Sequence, residues 1–366
     1  MGQMDSEGVT QMSLQLEELA GRTTFLDEWD TLADRVHATP FVRYGWVAAW
    51  WRNFGGGELR ILTARSGRRL TGLLPMLEVG STLRPPVNVQ TPVFGFLAED
   101  EATAADLAGT LLNRRRSMVM LDPIDEKDVG TGPFLEAAAA LGYRVVTETH
   151  RRSPYIDIDR PWEVFENGIQ KKTLSEIKRR RRRLEELGRL TVEVSDGTVD
   201  LDRVLHEGLR VEASGRKGRI GTAISMDPAT LSFYEDVCRW AAGEGLLRLC
   251  SLRLDGETIA FDLSLQDGDS HYLVKTGYDE AFARYGPGML LRYEMLATAF
   301  SEGLATYEFL GSDAPWKREW TRTTRHRLQL RAYAPTIKGT ARWSAVRYGV
   351  PAAKRLRRTA RNVLRR

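Results

Sequence analysis

The chain of 366 residues has few of the residues that build metal centres and disulfide frameworks. Its two cysteines, Cys238 and Cys250, lack the spacing of a CxxC pair, and its five histidines form no HxxxH or HxH cluster. A structural zinc site or a disulfide framework is therefore not expected. We predict that both thiols are small core residues and that no metal takes part in the function.

Long apolar runs are also missing. No stretch approaches the roughly 20 residues that cross a bilayer, and the polar, acidic start MGQMDSEGVTQMSLQLEE lacks the pattern of a secretory signal. Apolar residues make up 42% of the chain and charged residues 28%, which is typical of a globular protein. The predicted compartment is the cytoplasm.

Acidic residues are absent from 336–366, which contains ten Lys and Arg residues. Because the whole chain has a net charge of only +4, the remainder is net acidic. This basic tail is expected either to contact an anionic membrane peripherally or to be a frayed, solvated terminus. A second cluster, from Lys171 to Arg183, places eight basic residues on a predicted helix. That helix is expected to have either a solvated face or a surface that contacts phosphates of tRNA, a nucleotide-linked substrate or an anionic membrane.

One order of predicted elements occurs twice along the chain. Two helices, FLDEWDTLADRV and RYGWVAAWWRNF, precede a hairpin at Ser66-Gly67, a proline-rich loop, a helix from Asp100 and the buried strand SMVMLDPI. The second half has two helices, a three-strand meander, the loop YDEAFARYGPG, a helix and the strand ATYEFLG. This repetition predicts an α/β (α+β) fold made by tandem duplication of one unit. The expected domains are 14–155 and 156–335, followed by the tail at 336–366.

The segment YGPGMLL places Gly286, Pro287 and Gly288 directly before a predicted helix. A helix start presents unpaired amides and the positive end of the macrodipole, so it can bind an anion. Pro287 suits the first helical position, and the two glycines leave room for a phosphate. A tight turn before a helix is the simpler interpretation of the same tripeptide.

Several segments together resemble the CelD-like, FemAB-related branch of the GNAT acyltransferase superfamily. They are VEASGRKGRIGTAI, LRLDGETIAFDLSL, KTGYDEAFARYGPGMLL and PWKREWT, with TPFVRYGWVAAWWRNFGG and LSEIKRRRRRLEELG nearer the N-terminus. The resemblance implies two tandem GNAT-like domains in a FemAB-like architecture. It also implies an N-acyltransferase that moves an acyl group from acyl-CoA to an amine by direct attack.

By this resemblance, the diphosphate of the donor would lie at the loop 286–290. The implied donor-binding residues are Val274, Thr276, Tyr285, Gly286, Pro287, Gly288, Met289 and Leu290. The donor carbonyl would meet a backbone amide of the splayed fourth strand, between Val274 and Thr276. The loop departs from the usual Arg/Gln-x-x-Gly-x-Gly/Ala pattern, because Ala283 is at its first position.

Three candidates for the chemistry lie near that strand. Lys275 and Tyr278 are at its end, although Lys275 and Asp279 could simply form an exposed ion pair. Glu212, which is expected to follow a helix, could accept a proton from an amine or hold it. A surface ion pair between Glu212 and its basic neighbours Arg216 and Lys217 is the alternative.

Two further candidates, Asp313 and Lys317, follow the last core strand, where ligands of open α/β sheets gather. Lys317 matches the lysine in the Phe-Lys-x-Gly-Phe-Gly segment of Fem transferases, which faces the acyl donor, and it is the main candidate. Glu319 and Thr321 depart from the glycines of that segment.

Two other functions fit the same features. An aminoacyl-tRNA donor, as in a Fem-like aminoacyl or peptidyl transferase, is favoured by the basic helix and by Ala283. A non-catalytic accessory role in cellulose, exopolysaccharide or envelope assembly is the other, since CelD-like proteins are linked to such production. The expected acceptor is an amine-bearing small molecule, peptide or envelope precursor in a cleft between the domains. The first copy has acids before its helix, in FGFLAEDEATAADL, so its donor site is expected to be degenerate and its role structural or acceptor-binding.

Overall fold

A computed structural model describes residues 8–14 and 23–349. The first half of the chain contains, in order, β1 (Gly8–Leu14), α1 (Thr23–Arg35), α2 (Tyr44–Phe54), β2 (Glu58–Ser66), β3 (Arg69–Val79), β4 (Thr82–Arg84), β5 (Leu97–Ala98), α3 (Glu101–Asn113), β6 (Met118–Asp125), α4 (Thr131–Ala140) and β7 (Arg144–Asp157). The second half contains α5 (Trp162–Gly168), α6 (Lys171–Glu185), β8 (Leu190–Ser195), α7 (Leu201–Ser214), α8 (Arg216–Arg219), α9 (Pro228–Gly243), β9 (Leu247–Leu254), β10 (Glu257–Asp267), β11 (Ser270–Tyr278), α10 (Pro287–Ser301), β12 (Thr306–Glu308), β13 (Thr324–Tyr333) and α11 (Ile337–Ser344). The mixture of helices and strands confirms the predicted α/β class.

The chain folds into two compact units that are not consecutive in sequence. One contains Gly56–His150 and the described parts of 1–38 and 327–366, and the other contains Thr39–Gly55 and Arg151–His326. The expected domains were consecutive segments. The structure differs from that expectation by assigning α2 to the second unit and the segment after His326 to the first.

Helix α2 belongs to the second unit because its aromatic side chains pack there. Trp46 and Phe54 contact the ring of Phe233 on α9, with centroid distances of 5.1 and 5.2 Å. Arg43, directly before α2, forms a buried ion pair with Asp267 at 2.6 Å. Detaching α2 would expose these rings and leave a buried charge without its partner, which is strongly unfavourable.

The first unit is built on strands in the order β1-β2-β3-β4-β6-β13. All neighbours are antiparallel except β4 and β6, which run parallel and are connected through α3. Asp100 is the N-cap residue of helix α3, and its carboxylate accepts a hydrogen bond from Thr103 N at 2.7 Å. The place that an anion would take at this helix start is therefore filled by a side chain of the protein.

The second unit repeats this arrangement. Its strands follow the order β7-β12-β11-β10-β9-β8, and all neighbours are antiparallel except β11 and β12. The parallel pair is connected through α10, as β4 and β6 are through α3. Both units thus contain four neighbouring antiparallel strands, a helix and a closing parallel strand. The sequence predicted the repeated order, with a two-strand hairpin in the first half and a three-strand meander in the second.

Helix α10 packs its apolar face into the core of the second unit. Leu290, Leu291, Met295, Leu296 and Phe300 are buried, whereas Tyr293 is only half-buried. Tyr293 instead contacts Trp162 of α5, a helix that the sequence pattern did not predict, at 5.3 Å. The thiols of Cys238 and Cys250 are free and buried, as expected.

The described start of the basic tail packs on the first unit. Arg342 donates to the hydroxyl groups of Thr82 and Ser117 at 2.8 and 2.9 Å, and the guanidinium of Arg144 lies 4.6 Å from the ring centroid of Trp343. The remainder of the predicted tail, 350–366, lies outside the described residues. No helix in the described segments is long and apolar enough to cross a membrane.

Candidate active site

A cavity of about 620 Å³ opens in the second unit where β11 ends and α10 begins. Its walls come from α6, the end of α7, α8, the last residues of β11, the loop before α10, the first turns of α10 and the segment Trp316 to Trp320. Four of the predicted donor-binding residues line it, namely Thr276, Gly286, Gly288 and Met289. The side chains of Tyr285 and Leu290 are buried in the core instead.

The cavity exists because β11 and β12 separate. They pair only from Ser270 to Tyr272, after which β11 continues to Tyr278. Pairing of β11 with β10 shifts by one residue at Val274, which is a β-bulge. Bulges bend a strand and re-aim its side chains. Separation and bulge together open the sheet at the segment predicted to receive the donor carbonyl.

The loop enters α10 through a backbone conformation that favours glycine. Gly286 has a φ of +57°, in the left-handed region, and a Cβ atom there would overlap the guanidinium of Arg180. Met289 N and Leu290 N donate to the carbonyl of Gly286 at 3.0 and 3.2 Å. A Cβ atom at Gly288 would lie in ordinary contact with the Tyr278 ring, at 3.4 Å. Position 286 thus favours glycine, whereas position 288 has room for a methyl group.

Arg180 brings a cation to this helix start from outside the loop. It extends from α6, where its Nε donates to Glu176 at 3.1 Å, and its side chain is 28% exposed. Arg180 was not among the site residues predicted from the sequence, where it is one of the eight basic residues of the run. The position of Arg180 in the helix could have indicated its role. It lies three residues after the buried Ile177 and four before the buried Leu184, so it is on the same side of the helix as these two residues.

Glu212 lies inside α7, not after the helix as expected, and its side chain is 2% exposed. Its Oε1 pairs with Lys217 Nζ at 2.8 Å, and its Oε2 accepts a hydrogen bond from Ile224 N at 3.1 Å. Lys217 Nζ also donates to the carbonyl oxygen of Thr276, at 2.9 Å. Of the two basic neighbours predicted to pair with Glu212, Lys217 forms the ion pair. The pair is not a surface pair as expected, because the carboxylate is buried against the end of β11, and both partners line the cavity.

Lys275 and Tyr278 occupy different positions at the end of β11. Tyr278 is 45% exposed and lines the cavity. Lys275 is half-buried, with its ammonium 5.2 Å from the ring centroid of Tyr234. Burial and the nearby charge of Lys217 lower the pKa of Lys275 to about 8. Asp279 caps the following turn by accepting from Ala281 N at 3.0 Å.

Lys317 and Asp313 order the chain after β12. Lys317 is 6% exposed and donates to the carbonyl oxygens of Leu310 and Ser312, the latter at 3.0 Å. Burial lowers the pKa of Lys317 to about 8, and the charge of a nearby arginine adds to this effect. Asp313 pairs with Arg318 at 2.9 Å, and this hydrogen-bonded contact holds the pKa of the carboxyl below its ordinary value. Neither residue is among the described residues that line the cavity, although Trp316 is.

Arg292 forms part of the cavity wall and was not predicted from the sequence. It is 1% exposed, pairs with Asp262 on β10 at 2.7 Å and donates to the hydroxyl of Tyr307. Its appearance within the apolar run PGMLLRYEMLATAF is the signal that could have revealed it, since a buried arginine needs a buried counter-charge. In the described segments, no three or more His, Cys, Asp or Glu side chains are grouped as a metal site.

The family model of the acetyltransferase (GNAT) domain matches residues 171–318. This segment runs from the start of α6 to the turn after β12 and includes Arg180, Glu212 and the loop before α10. Residues 171–318 are thus an acetyltransferase (GNAT) domain, and the protein is an acyltransferase. No curated protein is significantly similar to this acyltransferase in sequence.

Solved structures show that the acyltransferase has a FemAB-like fold. FemX superposes with a TM-score of 0.60 and 14% identity, over 89% of this chain and 97% of FemX. L-PGS from Bacillus licheniformis superposes with a TM-score of 0.51 and 13% identity, over 80% of this chain and 93% of that one. Similarity at these identities concerns the fold, and it extends over both units of the acyltransferase.

Proposed function

We propose that this acyltransferase moves an acyl group from an acyl-CoA to an amine by direct attack, with the donor diphosphate at the loop 286–290. The observation that carries the proposal is the composition of one cavity. It combines a helix start, a cation from Arg180 and the buried carboxylate of Glu212 at the separated end of β11.

The donor end of the cavity suits a diphosphate. The first turn of α10 has the positive end of the helix macrodipole, and the guanidinium of Arg180 lies beside it. Arginine donates to phosphate oxygens in charge-assisted hydrogen bonds. Arg180 thus supplies the positive charge that the loop itself lacks at Ala283.

The acyl end of the cavity suits attack by an amine. Backbone amides between Val274 and Thr276 polarise the thioester carbonyl, and Glu212 accepts a proton from the amine. The nitrogen forms the new C–N bond, the C–S bond breaks, and Tyr278 donates to the leaving thiolate. Lys275 adds positive charge near Glu212, while Lys317 and Asp313 support the site by ordering the segment after β12.

The first unit, in this proposal, has no donor site of its own. Asp100 already occupies the start of α3, the helix that corresponds to α10, and its negative charge would repel a phosphate. A structural or acceptor-binding role of that unit is consistent with this arrangement.

The donor assignment is tested by the effect of acetyl-CoA on the melting temperature. Ligand at about 100 times its Kd stabilises the folded state by about 2.7 kcal/mol, which is a rise of a few degrees. Gly288→Glu should abolish the rise, because the carboxylate would occupy the phosphate position. Gly288→Ala should retain it, because the methyl group has room beside Tyr278.

Gly243→Glu is the matched control, since it introduces the same charge at an exposed glycine of α9. This variant should respond to acetyl-CoA like the wild type. An unresponsive wild-type protein, or an equal rise in the Gly288→Glu variant, would contradict the proposed donor site.

An aminoacyl-tRNA donor is the second candidate, and the exposed face of α6 favours it. Lys171, Lys178 and Arg182 follow one another at spacings of seven and four, so they form one stripe on the helix. All three are exposed, and within the described part of the chain they form no ion pair. Such a stripe is suited to a row of backbone phosphates.

A salt titration of tRNA binding tests this second candidate. The double variant Lys178→Gln/Arg182→Gln removes two phosphate contacts, so it should reduce the slope of log K against log salt by roughly 1 to 2. Arg203→Gln on α7, an exposed arginine paired with Glu207, is the control for the loss of charge. Equal slopes for all three proteins would exclude α6 as a tRNA contact.

A further inference from the structure

Lys217 places a primary amine inside the cavity. Its Nζ donates to Oε1 of Glu212 at 2.8 Å and to the carbonyl oxygen of Thr276 at 2.9 Å. The side chain of Lys217 is 40% exposed, whereas that of Glu212 is 2% exposed. The buried carboxylate of Glu212 therefore holds the amine against the end of β11. The rest of the Lys217 side chain is partly exposed and has room to move.

This position has what an attacking amine needs. The proposed base is at hydrogen-bond distance, and the strand segment that would receive the donor carbonyl contributes the second contact. Fixing a nucleophile and its base beside the reacting carbonyl replaces a bimolecular encounter by an intramolecular one, and this raises the rate by orders of magnitude.

Other lysines of the second unit lie elsewhere. Lys275 follows Val274 on the same strand, but its ammonium lies over the ring of Tyr234. Lys178 is exposed on α6 and does not line the described cavity. If Lys217 served only to neutralise the buried Glu212, an arginine would serve equally, so the two roles can be separated by experiment.

We infer that Lys217 is itself an acyl acceptor, so that the enzyme acylates its own side chain when a donor is bound and no other amine occupies the cavity. The inference rests on the proposed function, because the loop before α10 must hold an acyl-CoA. An acylated Lys217 no longer carries a charge, and it therefore no longer competes with an acceptor ammonium for Glu212.

The step is a thioester aminolysis. Glu212 accepts one proton from the ammonium of Lys217 and passes it to solvent. The neutral Nζ attacks the thioester carbonyl, the C–N bond forms and the C–S bond breaks with its electron pair on sulfur. The thiolate takes the second proton, and the third remains on the amide nitrogen.

The test incubates the full chain with acetyl-CoA and no added amine, and follows two quantities in the same samples. One is the melting temperature with and without acetyl-CoA. The other is acetylation of each lysine, measured by mass spectrometry after digestion at acidic residues. Lys217 should gain an acetyl group at least about tenfold faster than Lys178, since it is positioned beside the base. Gly288→Glu should bring the rate at Lys217 down to that at Lys178.

Lys217→Arg separates this role from charge neutralisation. It retains the ion pair with Glu212, so the protein should stay folded, while acetylation at position 217 is lost and that of Lys178 is unchanged. If acetyl-CoA raises the melting temperature but Lys217 reacts no faster than Lys178, the inference is wrong and the donor site stands. If neither effect occurs, the proposed function fails and the inference fails with it. Acetylation of Lys217 that persists in Gly288→Glu would be chemical rather than enzymatic and would also overturn the inference.

Discussion

The guanidinium group of Arg180 lies against the backbone of Gly286, directly before helix α10. A positive charge at the start of a helix is opposed by the macrodipole, which is positive at the same end. In the second unit this unfavourable placement is maintained by α6 and by the contact of Arg180 with Glu176. A bound anion would attract both the guanidinium of Arg180 and the N-terminal end of α10, so the two together would form one anion-binding site. We therefore assign the donor diphosphate to this position.

The first prediction concerns the donor affinity of Arg180→Gln. Hydrogen bonds to charged groups contribute about 1.5–3 kcal/mol, so the variant should bind acetyl-CoA at least about tenfold more weakly, as measured by isothermal titration calorimetry. Arg182→Gln makes the same change on the exposed face of the same helix and should leave the affinity unchanged. Equal losses in both variants would mean that general charge, and not the contact with Gly286, is responsible.

The second prediction concerns Gly286→Ala. A φ of +57° costs a residue with a Cβ atom about 1 kcal/mol, and the new methyl group would displace Arg180. Urea denaturation should therefore show a loss of about 1 kcal/mol, and acetyl-CoA should bind more weakly. Gly243→Ala is the matched control, because it lies in helix α9 and should gain up to about 1 kcal/mol. A Gly286→Ala variant as stable as the wild type would contradict the backbone argument.

Elements with strong local patterns could be predicted from the sequence. The hairpin β2–β3, the meander β9–β11 and helices α3 and α10 each have a clear periodicity and turn residues at their ends. Strand β7 was missed, because most of its residues are polar or exposed and its partner β12 is far away in sequence. The assignment of α2 to the second unit was missed for a related reason, since it depends on contacts with Phe233 that no local pattern encodes.

Part of the cavity lining could be predicted in the same way. Gly286 and Gly288, which line the cavity, were predicted because they lie at a helix start, where a local rule predicts anion binding. The contact of Lys217 with Thr276 and that of Arg180 with Gly286 could not, since each joins elements whose packing is decided by the whole unit. Lys317 matched a family segment, yet its ammonium binds backbone carbonyl groups of Leu310 and Ser312, so that match alone does not indicate where the side chain points.

The third prediction concerns the buried ion pair of Arg292 and Asp262, which are 1% exposed each. Removing one partner leaves a buried charge uncompensated, which typically costs 3–5 kcal/mol, whereas replacing both by apolar groups costs far less. Arg292→Met should therefore lower the free energy of unfolding by about 3–5 kcal/mol in urea denaturation. The double variant Arg292→Met/Asp262→Leu should recover much of that loss. A double variant as unstable as the sum of the single variants would show that the two residues act independently.

The fourth prediction concerns the pH dependence of stability that Lys317 produces. Its pKa is about 8 in the folded protein and 10.5 in its ordinary state. Between these pH values the unfolded chain binds a proton that the folded chain does not, so the free energy of unfolding rises with pH in this window. The difference between wild type and Lys317→Met should therefore increase by up to about 3 kcal/mol from pH 8 to pH 10.5, as measured by urea denaturation. Lys317→Met also loses the hydrogen bonds to Leu310 and Ser312, and this loss adds to the difference in unfolding free energy a constant that does not change with pH. Lys178→Met, at an exposed position, is the control for general effects of alkaline pH. If the difference in unfolding free energy between wild type and Lys317→Met is the same at pH 8 and pH 10.5, the prediction is wrong. The buried ammonium is then not destabilised in the folded protein.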